Sequence, residues 1–252
     1  MELQLTRSDN PDEQKSAPGV VQEKSLCEKR GCVGNPIKHV YLEPAFQVFM
    51  LGMVFFMCPG MLNALQGIGG GGQLDTDTSS SSSIAIYATF SIGSIFAGTV
   101  VNNIGTKMGL LIGSTGYALY FGSYLCYNIT ANQPFVIAAG AILGICAGLL
   151  WSSQGAIMLS VATEDQKGRF ISIFWILLSL GSVIGSAVEL GMSADGEHVR
   201  ISDATYAAFL ALGVLGGIIA LLMYSPSKLI KSDGSQVKIP QNPGWLDELK
   251  SA

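Results

Sequence analysis

Residues 108–163, MGLLIGSTGYALYFGSYLCYNITANQPFVIAAGAILGICAGLLWSSQGAIMLSVAT, run for 56 positions without Asp, Glu, Lys, Arg or His. About 20 apolar residues, rising about 1.5 Å each, cross the hydrocarbon core of a bilayer. The stretch is too long for one crossing and holds two. Its break is Asn128-Ile-Thr-Ala-Asn-Gln-Pro134, a polar turn closed by proline.

The same reading extends to both sides. Uncharged windows cover 44–74, 78–106, 170–188 and 204–227, with 31, 29, 19 and 24 residues. Each holds one helix. Six crossings are expected, over 45–67, 84–104, 108–127, 135–156, 170–190 and 204–224. Gly69 to Gly72 and the serines 79–83 read as a flexible connection between the first two. Composition agrees: 13% of the 252 residues are charged and 49% hydrophobic, against about 25% charge in soluble domains. The fold class is all-α integral membrane.

Of the 14 basic residues, 13 fall in the arm before Glu43, at Lys107, Lys167 and Arg169, or in the tail after Ser225. Only Arg200 lies on the other side. Excess Lys and Arg mark cytoplasmic loops, so both termini are expected in the cytoplasm. Residues 1–43 lack an apolar run of signal-peptide length, and the first helix is expected to act as an uncleaved anchor. The arm 1–43 and the tail 225–252 read as polar, mobile segments flanking a membrane domain over 44–224. Asn128-Ile-Thr130 is a sequon on the opposite side, in a very short turn.

Small residues recur at four-residue spacing: Gly140, Gly144 and Gly148; Gly181 and Gly185; Gly213 and Gly217. Such spacing lets helices approach closely in lipid. It serves packing within the bundle or dimerisation, and packing is the expected use. Pro59 predicts a kink in the first helix. Beyond it, Asn63 and Gln66 share one face, at i and i+3. They line a polar path or bond to neighbouring helices. Ser152, Ser153 and Gln154 admit the same two readings. Glu189 is the one acid near a helix interior. It marks a functional site or snorkels to the interface.

Nothing points to catalysis, a metal, a cofactor or nucleic acid. His39 and His198 are isolated and lie on opposite sides. Gly69 to Gly72 lacks the following Lys-Ser/Thr of a phosphate loop. Cys27 and Cys32 have no second ligand pair, and the five cysteines read as free thiols.

Two stretches carry a family resemblance. One is Phe46-Gln47 followed by Cys58-Pro59-Gly60-Met61-Leu62-Asn63-Ala64-Leu65-Gln66-Gly67-Ile68, four glycines and Gln73. The other is Glu164-Asp165-Gln166-Lys167-Gly168-Arg169-Phe170, then Phe174-Trp175 and Leu180 to Ser186. They resemble the first helix, and the loop into the fifth, of the uncoordinated-ninety-three-like proteins. These form a branch of the major facilitator superfamily.

The resemblance implies twelve helices in two halves around a central cavity, of which this chain matches the N-terminal half. The last stretch, from Pro226 to Leu249, resembles the linker before a second half. A truncated or split member is the expectation. Gly98-x₃-Asn102-x₂-Gly105-x-Lys107 resembles the gate loop between helices two and three. An acid is usual where Asn102 stands. Asn102, Gly105, Lys107, Lys167 and Arg169 are the candidate cytoplasmic gate. Trp151-x₂-Gln154-Gly155 occupies a motif that begins with Arg in many proton-coupled carriers, and Ser186 replaces the proline of an antiporter motif. The readings that follow are transport of an unknown substrate, regulation or trafficking of a channel or receptor, or an inert fragment. Partners implied are the lipid bilayer and either a second six-helix half, from the same or another chain, or a membrane partner protein.

Overall fold

A computed structural model of the chain describes residues 40–67, 76–193, 203–226 and 229–231, together with Ser235 and Val237. The first crossing is composite. Helix α1 (Pro44–Phe55) runs into a π-helical turn (Phe56–Gly60) and continues as α2 (Met61–Gly67). Pro59 has no N–H to give, and the wider turn around it absorbs the missing bond. The expected kink therefore takes the form of a π-bulge. Next come α3 (Thr76–Ile104), α4 (Thr106–Thr130) and α5 (Gln133–Val161). A 3-10 turn (Glu164–Gln166) leads into α6 (Lys167–Ser193), followed by α7 (Asp203–Leu222).

Among the described residues, five spans are long and apolar enough to cross a membrane: Pro44–Gly67, Asp77–Ile104, Gln133–Val161, Glu164–Val188 and Asp203–Leu222. The sixth crossing, α4, is more polar because its buried face carries Ser114, Tyr117, Tyr120, Ser123 and Tyr124. Its 25 residues extend about 37 Å at about 1.5 Å each, more than the hydrocarbon thickness of about 30 Å. The hydroxyls are satisfied inside the protein. Tyr120 Oη lies 3.0 Å from Ser82 Oγ and 2.9 Å from Tyr124 Oη. The Tyr124 ring stacks on Tyr206 of α7 at 5.6 Å.

Packing follows an exchange between the two halves of the bundle. The first crossing packs on α6 and α7, and α5 packs on α3 and α4, while α4 and α7 pair directly. Each three-helix set thus lends its second and third helices to the first helix of the other. The outer helices α3 and α6 leave large apolar side chains exposed, among them Ile84, Ile95, Ile176 and Val183.

Every recurring small-residue pair is used within the bundle. A β-carbon on Gly140 would meet Ser82 Oγ at 2.8 Å, and Gly144 presses on the backbone of Ile86 and Phe90. Gly148 faces Ser94, so the triple of α5 seats α3. Gly181 meets Phe56 and Gly60, and Gly185 meets Ala64. Gly213 and Gly217 face α4 at Phe121 and Ser114.

Two expectations need correction. The serines 79–83 are helical, and α3 begins at Thr76, eight residues before the predicted start at 84. Ser82 is fully buried against Tyr120 and Gly140, so tertiary contacts override a composition that reads as linker. The described part of the tail beyond Ser225 packs on the bundle. Leu229 and Val237 are buried in the main core, and Val237 N–H donates to the Leu229 carbonyl at 3.2 Å. The residues 1–39 and the glycines 69–72 lie outside the described residues, as do Cys27, Cys32, His39 and His198. Cys58, Cys126 and Cys146 are free thiols.

Candidate functional site

A cavity lies beside the π-helical turn of the first crossing. Pro59 and the turn beyond it expose one side of α2 to α3, α4 and α5. A cavity of about 220 Å³ opens there. Pro59, Leu62, Asn63 and Gln66 form one wall, Ile86, Tyr87 and Phe90 the second, and Leu143, Ala147 and Trp151 the third, with Tyr117 at the base. None of these side chains is an acid or a base of ordinary cellular pH.

Asn63 is exposed to this space and has no hydrogen-bond partner among the described residues. Gln66 Oε1 accepts a hydrogen bond from Tyr87 Oη at 3.3 Å. One amide is thus partly engaged across the cavity and the other is open. Gln66 thus bonds to a neighbouring helix, and Asn63 lines the cavity. The i, i+3 spacing on a short, unobstructed helical segment puts them on the same wall.

Trp151 is held by an aromatic cluster behind it. Its ring meets Phe55 edge-on at 4.9 Å and lies 6.4 Å from Phe174 and 6.2 Å from Trp175. Phe55 and Phe174 meet at 4.8 Å. Edge-to-face contacts at these distances orient rings as well as bury them. The cluster joins α1, α5 and α6, so the indole is positioned by three crossings.

The other proposed polar residues are placed elsewhere. Ser152 and Gln154 are half-buried on α5 and do not line the cavity. Ser153 is fully buried against Gly109 of α4, and its Oγ has no hydrogen-bond partner among the described residues. Glu189 lies in the last turns of α6, and its side chain is outside the described residues. Tyr87, Phe90 and Tyr117 were not anticipated as lining. Aromatic residues within an apolar span read as core, and only their neighbours distinguish a lining ring from a packed one.

The gate-loop candidates sit at two turns. Gly105 joins α3 to α4 with φ 88°, a conformation that favours glycine, and its N–H donates to Val101 O at 2.8 Å. Asn102 is exposed at the end of α3, and Lys107 is half-buried in the first turn of α4. At the other turn Lys167 Nζ donates to Glu164 Oε1 at 2.6 Å, while Arg169 is exposed. The Lys167 hydrogen bond and charge hold the Glu164 carboxyl below its ordinary value of 4.5, and Lys231 of the tail adds to the effect.

Both chain ends of the bundle are tied together at one end. Tyr41 Oη donates to the Leu222 carbonyl. Buried Gln47 donates from Nε2 to the Tyr41 carbonyl at 2.7 Å, and its Oε1 accepts from Tyr224 N–H at 3.1 Å. At the opposite end Asn128 Nδ2 donates to Asp203 Oδ1 at 2.7 Å, so the sequon asparagine is engaged by its own bundle.

Comparison with known proteins agrees with this architecture. Residues 74–242 match the family model for the ion channel regulatory protein UNC-93. A UNC93-like protein of Schizosaccharomyces pombe is 38% identical over 248 residues, covering 98% of this chain and 49% of that protein. UNC93-like protein 1 of Arabidopsis thaliana is 38% identical over 195 residues, covering 77% of this chain and 42% of its own length. More distantly, the UNC93-like protein MFSD11 of Xenopus laevis is 25% identical over 158 residues, 60% of this chain and 33% of that protein. The chain spans about half the length of the first two, and on the breadth of these matches it belongs to the UNC-93 family of multi-pass membrane proteins.

Proposed function

We propose that the chain is one half of a membrane transporter, with the cavity beside the bulged first crossing as its share of the solute site. The observation that carries this reading is the coincidence of the π-helical turn at Pro59, an amide with no hydrogen-bond partner among the described residues and an open cavity. Substrate sites of secondary transporters form at discontinuous helices between structural repeats. The exchange of helices between the two three-helix sets is a repeat arrangement of that kind. A second six-helix unit closes the open side. The distribution of basic residues supports a cytoplasmic position for both termini, the α3–α4 turn and the α5–α6 turn. The gate residues Asn102, Gly105, Lys107, Lys167 and Arg169 then share the cytoplasmic face. No step of covalent chemistry is assigned.

Vesicles from cells expressing the chain test this. Complexes released from them are expected to contain at least two six-helix units by native mass spectrometry. The same vesicles should exchange solutes from an isotopically labelled metabolite extract, and Trp151→Ala should reduce that exchange. A monomer-only mass without exchange would sink the reading.

A second reading, a regulatory subunit of a channel, is favoured by the description of the matching family model. Crosslinking in native membrane separates the two. A channel protein recovered with the chain, together with unchanged solute exchange, supports the regulator.

A further inference from the structure

The cavity has a chemical character that goes beyond its position. We infer that it selects an uncharged, planar solute bearing an amide-like pair of hydrogen-bonding groups; the inference rests on the transporter reading and deepens it. Its polar lining consists of two carboxamides, two phenols and an indole, from Asn63, Gln66, Tyr87, Tyr117 and Trp151. These groups donate and accept hydrogen bonds without carrying charge.

The state of each group narrows the complement. Tyr87 occupies the Gln66 carbonyl, leaving the Gln66 NH₂ as a donor toward the cavity. Asn63, one helical turn away on the same wall, keeps both its carbonyl and its NH₂. A solute carbonyl suits the Gln66 NH₂, and a solute N–H suits the Asn63 carbonyl. A carboxamide supplies both. The cavity is also lined by the rings of Tyr87, Phe90 and Trp151, which favour a flat ring.

Ions are disfavoured by the same lining. An anion would find no Lys, Arg or His there. A cation would find aromatic faces but no carboxylate. Cation–π attraction is smaller than the cost of stripping an ion of water at membrane depth. Position selects the ring, and the amides select charge state.

Three one-ring probes of nearly equal shape separate these terms: nicotinamide, neutral; nicotinate, an anion; and 1-methylnicotinamide, a cation. Equilibrium dialysis with the full chain in nanodiscs measures each. Nicotinamide is expected to bind about tenfold or more tighter than either ion, a ratio that corresponds to about 1.4 kcal/mol. Asn63→Leu with Gln66→Leu should lose that binding by about tenfold or more. Asn63→Asp should turn the preference toward 1-methylnicotinamide. Helical circular dichroism and a single size-exclusion peak check that each variant folds. Equal or tighter binding of an ion by the unsubstituted chain, or undiminished binding by the double variant, overturns the inference. So does binding of none of the three. If none binds while vesicles still exchange solutes, this solute class is removed and transport stands; if exchange is also absent, both fall.

Discussion

Gly60 and Gly181 meet backbone to backbone: a β-carbon on Gly60 would stand 3.0 Å from the Gly181 Cα, and one on Gly181 would stand 2.5 Å from the Phe56 carbonyl oxygen. The contact joins the π-helical turn to α6 at the level of the kink. It keeps the first crossing bent against a partner that has no side chain to interfere. The open wall of α2, and with it the cavity, depends on this approach.

Gly181→Ala is therefore expected to destabilise the bundle by about 1–3 kcal/mol, the usual cost of overpacking. Gly144→Ala should act in the same direction, because its β-carbon would collide with Ile86 and Phe90 backbone. Gly155 has open space around it, so Gly155→Ala should gain about 0.5–1 kcal/mol from helix propensity. Reversible unfolding in mixed micelles measures all three. Equal effects at Gly155 and Gly181 would contradict this packing.

Gln47→Leu should cost about 1–3 kcal/mol, since it removes two part-buried hydrogen bonds, one to the Tyr41 carbonyl and one from the Tyr224 N–H. Hydrogen exchange at Tyr224 should accelerate, while exchange in the middle of α5 stays unchanged. An unaltered Tyr224 amide would show that the clasp is not made.

Ser153→Ala should be neutral or slightly stabilising. The hydroxyl is buried and unpartnered, so removing it returns a desolvation cost without breaking a bond. Thermal unfolding in detergent reads this. A loss of more than about 1 kcal/mol would show that the hydroxyl has a partner.

Glu164 carries a pH prediction. Its folded carboxyl titrates below 4.5, chiefly through Lys167. A depressed acid contributes stability that is present above its unfolded pKa and lost as pH falls through its folded one. The Glu164–Lys167 pair should thus persist at neutral pH and disappear only under acid conditions below 4.5. Both groups are solvent-accessible, and the effect on stability should be small. Carboxyl-carbon NMR should show the Glu164 titration moving up in Lys167→Gln. No movement would remove the pair.

Some of the candidate site was legible before the fold. The i, i+3 spacing of Asn63 and Gln66 after a proline pointed to one polar wall. Ser152 and Gln154 looked equivalent to them, yet they lie away from the cavity. The difference is that Asn63 and Gln66 follow the π-helical turn on the face that lines the cavity, while α5 offers the cavity Leu143, Ala147 and Trp151 instead. The serines 79–83 were misread for a related reason. Serine favours linkers by composition, but a membrane helix satisfies its hydroxyls locally or, as with Ser82, against a neighbour.

By itself the sequence determined the six crossings and the kink at Pro59. Both follow from local costs: a charge in hydrocarbon, and a backbone bond that proline cannot make. Only the tertiary structure decided that all the recurring glycines are used inside the bundle, that α4 hides its hydroxyls against α3 and α7, and that two amides face an aromatic wall. Those outcomes depend on which surface each helix meets. That is set by the fit of distant segments, which no local pattern contains.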